Sequence, residues 1–200
     1  MVLPSVSIGN VPQLALDLLI YTYNFTLVEN LDDRFMYPFA GPRDYAATGS
    51  VRPLGISTPI ELFQCGDIKI IQIRSPPLPN CRAKFLGVLE IAAQEPCIVV
   101  GSCNAGLCDY NGDNLEWIFP DKLEAEYLDS GYFREAALKF NAKTLLMRTH
   151  EGDNSLNAIQ MATELVKELG LEKKPFVTPA SWRSLYGKPA PAYFEDGIYA

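Results

Sequence analysis

The stretch "MVLPSVSIGNVPQLALDLLIYTY", residues 1–23, decides the fold class of this chain. Its apolar, β-branched start predicts a buried strand over residues 1–8 that ends in a turn at Gly9 and Asn10. The residues that follow predict a helix over 12–23, with the Asn10 side chain as its cap. Because a strand that leads directly into a helix is the first unit of many α/β domains, the stretch predicts that class.

The predicted helix over residues 12–23 is apolar on more than one side. The apolar side chains outside its main stripe are Leu16, Ile20 and Tyr23. A helix of this kind packs against neighbours on two sides. We expect these three side chains to contact a partner protein, and a homodimer is one form of that contact. The alternative is a core helix that other parts of the same chain cover.

Two further elements have strong patterns. A hairpin is predicted over residues 59–75, where two β-rich runs flank a turn at Gly66. A helix is predicted over residues 151–170, with Asp153 or Asn154 as its cap and Gly170 at its end. Both faces of the hairpin are partly apolar, so the sheet is expected to be covered on both sides.

The remaining patterns complete an alternation of strands and helices. They predict a strand over residues 25–31, a loop over 41–59, a helix over 80–95 capped by Asn80, a strand over 96–102, a weak helix over 121–140 and a strand over 143–150. This order predicts a single α/β domain over residues 1–187, with a mixed, largely parallel sheet between helix layers. Residues 188–200 are predicted to form a flexible C-terminal tail.

The composition excludes several kinds of partner. The net charge is -7 and no cluster of Lys and Arg is present, which excludes nucleic acid. No apolar run reaches the ~20 residues that span a bilayer, and no secretory leader is predicted. Five irregularly spaced cysteines predict reduced thiols in a protein of the cytoplasm and nucleus. With a single histidine, neither a metal site nor a cofactor is expected.

A catalytic alternative stays open at the carboxyl ends of two predicted strands. Ser102 and Cys103 follow one strand and His150 ends another, where α/β proteins bind small ligands. An enzyme acting on a nucleoside-like or ester substrate is therefore the competing hypothesis. However, the chain has no G-x-S-x-G elbow, and its first turn lacks a glycine-rich phosphate fingerprint. The nearby loop carboxylates are expected to be solvated rather than calcium ligands: Asp109, Asp113, Glu151 and Asp153.

The segment "PASWRSLYG", residues 179–187, predicts a short helical turn near the C-terminus. Trp182, Leu185 and Tyr186 are spaced along one face of that turn. We expect these side chains to fold onto the domain and to anchor the chain before the tail begins.

Three segments together resemble the proteasome assembly chaperone 2 family. They are "LPSVSIGNVPQLALDLLI" (residues 3–20), "EGDNSLNAIQMATELV" (residues 151–166) and "PASWRSLYG" (residues 179–187). The resemblance implies a non-enzymatic chaperone that pairs with a related chain, proteasome assembly chaperone 1. It also implies that this heterodimer sits on the α-subunit ring of the 20S core particle during assembly. Leu16, Ile20 and Tyr23 would then lie at the heterodimer surface.

The resemblance gives a role to the last three residues of the sequence. Ile198, Tyr199 and Ala200 match, position by position, the hydrophobic-tyrosine-any motif of proteasome activators and these chaperones. In the family this motif enters a pocket between neighbouring α-subunits, where the carboxylate pairs with a lysine. The expected site residues are therefore Ile198, Tyr199 and Ala200.

Overall fold

A seven-stranded mixed sheet forms the centre of the protein. The structure is a computed structural model, and it describes residues 1–46, 55–92, 96–107, 114–119, 122 and 132–182. The spatial order is β2 (Thr26–Asn30), β5 (Ile60–Cys65), β6 (Ile68–Ile73), β1 (Val2–Pro4), β7 (Ile98–Asn104), β9 (Lys143–Thr149) and β8 (Leu115–Ile118). Strands β6, β1, β7 and β9 are parallel, whereas β2, β5 and β8 pair antiparallel at the two sides. This arrangement confirms the predicted mixed, largely parallel sheet.

Within the described ranges, four helices cover the two faces of the sheet: α1 (Val11–Thr22), α2 (Arg82–Ala92), α3 (Phe133–Lys139) and α4 (Ser155–Glu168). Side chains of α1 and α4 form one apolar core, and those of α2 and α3 form the other. Because successive side chains of a strand point to opposite faces, Val2 enters the first core and Leu3 enters the second. The predicted three-layer α/β/α architecture is therefore present.

The chain itself buries every residue of the first helix except Tyr21, which is half-buried. Leu16 has no exposed surface, and Ile20 retains 3% of its surface exposed. Helix α4 packs along one side of α1, and residues beyond α4 cover another side, where Phe176 and Trp182 join the same core. The Tyr23 hydroxyl donates to the Glu172 carbonyl at 2.7 Å. The structure therefore supports the alternative of a core helix.

The helix starts agree only in part with the predicted capping, since Asn10 does not cap α1 whereas Asp153, one of the two candidates for α4, bonds to its first residue. Asn10 occupies the position before α1 in a left-handed conformation (φ 52°), but its side chain makes no capping hydrogen bond. Asn154 precedes α4 and likewise does not cap the helix through its side chain. Asp153 instead accepts the Ser155 amide at 3.1 Å. At the other end, Gly170 has a φ of 64° and stops α4 as predicted.

Some predicted boundaries were wrong. The first strand ends at Pro4, and Ser5–Ser7 instead begin the turn into α1. The predicted loop over residues 41–59 contains a separate two-stranded pair, β3 (Gly41–Pro42) and β4 (Ile56–Ser57). Strand β8 was not predicted. Within the helix predicted over residues 121–140, the described residues form only α3. In the described residues, no helix is both long and apolar enough to cross a bilayer.

Candidate functional site

The carboxyl edge of the parallel strands is closed by the chain's own polar groups. Ser7 follows β1, and its hydroxyl lies 2.9 Å from the Ser102 hydroxyl on neighbouring β7. The Ser102 hydroxyl donates to the Ile8 carbonyl at 2.6 Å, and the Ser102 amide donates to Ser7 Oγ at 3.0 Å. These bonds tie the turn before α1 onto the end of β7.

A second closure joins the same turn to the loop before α4. Gly9 has a φ of 68°, and a Cβ placed there would lie 2.3 Å from Asn154 Nδ2. The Asn154 amide donates to the His150 carbonyl at 2.9 Å, and its oxygen accepts from the Thr149 hydroxyl. Only glycine allows this approach, because both the backbone conformation and the missing side chain are required. The turn is thus a packing contact between two loops.

The residues of the catalytic hypothesis do not form a catalytic arrangement. Ser102 is 3% exposed, and its hydroxyl is bonded to Ile8. Cys103 is buried in the core on the α2 and α3 side, and His150 is exposed at the end of β9. In the part of the chain that the structure describes, no group of three metal-ligating side chains is found. Asp109 and Asp113 lie outside the described residues.

Tyr132 bonds to the chain at the carboxyl end of β1, from the face of the sheet that α2 and α3 cover. Its hydroxyl accepts the Val6 amide at 2.8 Å and donates to the Pro4 carbonyl at 3.1 Å. Burial raises the pKa of Tyr132, so the hydroxyl stays protonated and can donate. Its ring also meets the Phe85 ring edge-on at 5.2 Å between centroids. Tyr132 therefore holds the chain where β1 ends.

Replacing Tyr132 with phenylalanine is expected to reduce the free energy of unfolding by ~1–3 kcal/mol. The Val6 amide and the Pro4 carbonyl would each lose a partner in a buried setting. Urea denaturation measures the change. Tyr37→Phe is the matched control, because the Tyr37 side chain is 45% exposed. Equal stability of the two variants would contradict this role of the Tyr132 hydroxyl.

A buried ion cluster lies beside the carboxyl end of β6. Arg74 is 3.3 Å from Asp17 of α1 and 3.3 Å from Glu61 of β5. Gln72 donates to Asp17 at 2.7 Å. Burial alone would lower the pKa of Arg74, but the two carboxylates outweigh burial and raise it, so the arginine stays charged. The cluster joins a helix to two strands.

An exposed surface lies next to this cluster. Phe39 is 38% exposed and lines a pocket; Tyr37, two residues before it, is 45% exposed, and Ile56, whose strand partner Pro42 also lines the pocket, is 59% exposed. We call these three residues, with the pocket, the Phe39 surface. The pocket has a volume of about 400 Å³. Its lining comprises Phe39, Gly41, Pro42, Arg43, Asp44, Tyr45, Ser57, Arg74, Ala180 and Ser181. Aromatic side chains and arginine are the residue types that interfaces favour.

The predicted site residues have different outcomes. Ile198, Tyr199 and Ala200 lie outside the described residues, as do Leu185 and Tyr186. Trp182 is 3% exposed and packs on the core, as predicted for the turn before the tail. Leu16, Ile20 and Tyr23 are buried in the chain, with Tyr23 at 9%, so they offer little area to a partner.

Sequence reasoning missed the ion cluster and the Phe39 surface. Asp17 inside an apolar helix and Glu61 inside an apolar strand were signals for the cluster, because a buried carboxylate requires a partner. The Phe39 surface had no comparable signal. Exposure of Phe39 and Ile56 depends on chain segments that are distant in sequence.

The fold and this edge define a class: a three-layer α/β domain whose strand ends are closed by its own loops. Residues 1–114 match the profile of the PAC2 family, which is more than half of the sequence. The chain belongs to the PAC2 family.

Individual relatives agree with this membership. The chain is 40% identical over 135 residues to a protein of Danio rerio named Proteasome assembly chaperone 2, a match that covers 63% of this chain. The matched part spans about half of that relative, 52% of its length.

Solved structures share the fold at low identity. Pyrococcus furiosus PbaA, an archaeal homolog of proteasome-assembly chaperone, gives a TM-score of 0.57 at 16% identity, covering 86% of this chain and 82% of that one. A PAC2 family protein from Streptomyces avermitilis also gives 0.57, at 15% identity, covering 99% and 98%.

Proposed function

We propose that this chain is a non-enzymatic chaperone for assembly of the 20S proteasome core particle. The observation that carries the proposal is its 40% identity to the relative named Proteasome assembly chaperone 2. Membership of the PAC2 family agrees with it. The closed strand ends also support a binding role, since Ser102 is bonded to the backbone rather than presented to a base.

The proposal includes a partner and a place of action. The chain pairs with a related chain, proteasome assembly chaperone 1, and the heterodimer binds the α-subunit ring in the cytoplasm and nucleus. The motif Ile198-Tyr199-Ala200 enters a pocket between two α-subunits. Its carboxylate pairs with a lysine there, and the Tyr199 ring packs against the pocket wall.

The energetics of such an insertion require a second contact. Burying one tyrosine removes ~150–250 Å² from water, worth up to roughly 4–6 kcal/mol. A charge-assisted hydrogen bond to the carboxylate adds ~1.5–3 kcal/mol. Ordering about six residues of peptide costs ~6–12 kcal/mol of backbone entropy. These terms nearly cancel, so the motif binds weakly alone and the folded domain must contribute further contact.

Removing residues 198–200 is expected to weaken binding to purified α-subunit rings by about 10-fold or more, because the ring packing and the carboxylate bond are both lost. The melting temperature is expected to stay the same. Titration of labelled full-length protein with α-subunit rings measures the affinity.

The control for this experiment is Tyr193→Ala, which removes an aromatic side chain from the same tail outside the motif. It should bind like the unmodified protein. Undiminished binding of the shortened protein would refute insertion of the motif, and absence of any binding by the unmodified protein would refute the chaperone function.

A further inference from the structure

Hydrogen bonds fix the backbone at Tyr37 and Ile56 in the Phe39 surface. The Tyr37 amide donates to the Pro76 carbonyl at 3.0 Å, and the Ser75 hydroxyl donates to the Tyr37 carbonyl at 2.7 Å. Ile56 pairs with Pro42 in the β3–β4 ladder. Its carbonyl accepts from Arg43 Nη2 at 2.9 Å. Because the backbone at Tyr37 and Ile56 is already ordered, binding of a partner there costs little backbone conformational entropy.

The described part of the chain ends beside the pocket of the Phe39 surface. The Ala180 amide donates to the Tyr45 carbonyl at 2.8 Å, and Ser181 is bonded to Asp44. Ala180 and Ser181 line the pocket together with Phe39. Eighteen residues of sequence follow Trp182 and lead to Ala200. At ~3.3–3.6 Å per residue they span at most about 60 Å, so whatever holds the motif lies within that distance of the Phe39 surface.

The exposed area helps to decide what binds there. An aromatic side chain covers ~150–250 Å², so the exposed parts of Tyr37, Phe39 and Ile56 amount to on the order of 300 Å². Obligate dimers bury roughly 2,000–5,000 Å² and have strongly apolar interfaces. The Phe39 surface is too small to be the main face of a permanent pair. Its size suits a weak contact that a second attachment strengthens.

We propose that the Phe39 surface binds the same α-subunit ring that accepts the C-terminal motif, and that it supplies the second contact which insertion requires. This inference rests on the proposed function. Phe39 and Ile56 bury their exposed area against apolar side chains of the ring, and the pocket takes a side chain of the ring beside Arg43. A weak contact next to the start of the tail raises the effective concentration of the motif at its slot.

The test uses the full chain, paired with its related chain where the two assemble, and purified α-subunit rings. The variants are Phe39→Ser and Ile56→Thr. The matched control is Ile91→Thr, because Ile91 is 90% exposed on α2 and is not among the residues that line the pocket. Each surface variant is expected to raise the Kd for the ring by about 10-fold or more, whereas Ile91→Thr leaves it unchanged. A peptide of residues 188–200 provides the affinity of the tail alone.

The outcomes separate this inference from the proposed function. If Ile56→Thr and Ile91→Thr bind the ring equally, with unchanged melting temperatures, the Phe39 surface is not the second contact. If the surface variants lose pairing with the related chain while assembled pairs keep their affinity for the ring, the surface belongs to the heterodimer and the inference is overturned. If the unmodified protein does not bind the ring, the proposed function fails as well. The inference is supported if both surface variants raise the Kd for the ring toward the value measured for the peptide of residues 188–200.

Discussion

Replacing Arg74 with methionine is expected to lower the free energy of unfolding by about 3–5 kcal/mol, because the buried Asp17 loses its salt bridge and the buried Glu61 keeps only the longer one to Arg43. Asp17 and Glu61 each lie 3.3 Å from the guanidinium. Their side chains are 11% and 1% exposed, so water cannot replace the lost partner. Urea denaturation, with the midpoint and the slope both fitted, measures the effect.

Two further variants make the result specific. Arg34→Met removes an arginine whose bridge to Asp32 is exposed, at 72% and 40% of the side chains, and it should leave stability nearly unchanged. Arg74→Met combined with Asp17→Asn should recover part of the loss, because the carboxylate that lost its salt bridge is replaced by a neutral amide. If Arg74→Met is as stable as Arg34→Met, the cluster is not a determinant of stability.

Replacing Gly101 with alanine is expected to destabilise the protein by about 1–3 kcal/mol through overpacking. A Cβ at this position in β7 would lie 2.5 Å from Phe133 Cε2 and 2.7 Å from Cδ2. Phe133 has no exposed surface, so its ring cannot move aside without displacing the core around α3. Thermal and urea denaturation both report the loss.

The control for this prediction is Gly87→Ala in α2, where no atom lies within 4 Å of the added carbon. That change should be neutral or stabilising by up to ~1 kcal/mol, because alanine favours helix more than glycine does. Phe133→Leu should reduce the penalty of Gly101→Ala when the two are combined. Additive effects in that double variant would show that the Phe133 ring is not the obstacle.

The ion cluster and the Phe39 surface are physically connected. Arg74 bonds to α1 and β5 on its inner side and lines the pocket on its outer side. Arg43 also reaches Glu61, at 3.7 Å, from the β3 side of the pocket. A loss of Arg74 would therefore disturb stability and binding together, which is why Phe39→Ser and Ile56→Thr are the suitable variants for binding.

Several elements were predictable because their pattern is local. Helix α4 has an apolar stripe at helical spacing, with Gly170 after its end. The β5–β6 hairpin is joined by a tight turn at Gly66, and each of its residues pairs with a close neighbour in sequence. Strand β8 was missed because Leu115–Ile118 is only four residues long and is recognisable as a strand only from its pairing with β9. The β3–β4 pair was missed because each of its strands is only two residues long.

Helix α1 shows what the local sequence pattern could not predict. Its apolar residues on every side required burial on every side, but they did not specify what covers them. The structure places α4 and the segment with Phe176 and Trp182 there, so Leu16 and Ile20 belong to the core. The Phe39 surface had to be found from exposure, which is a property of the folded chain.

By itself the sequence determined the α/β class, the largely parallel sheet and the end of α4 before Gly170, because each depends on side chains that are neighbours along the chain. Only the tertiary structure decided that Ser102 is bonded to a turn, that Arg74 joins Asp17 and Glu61, and that Phe39 and Ile56 remain exposed. The physical reason is that burial and ionic pairing are summed over atoms from separate segments. Those segments become neighbours only when the sheet has formed.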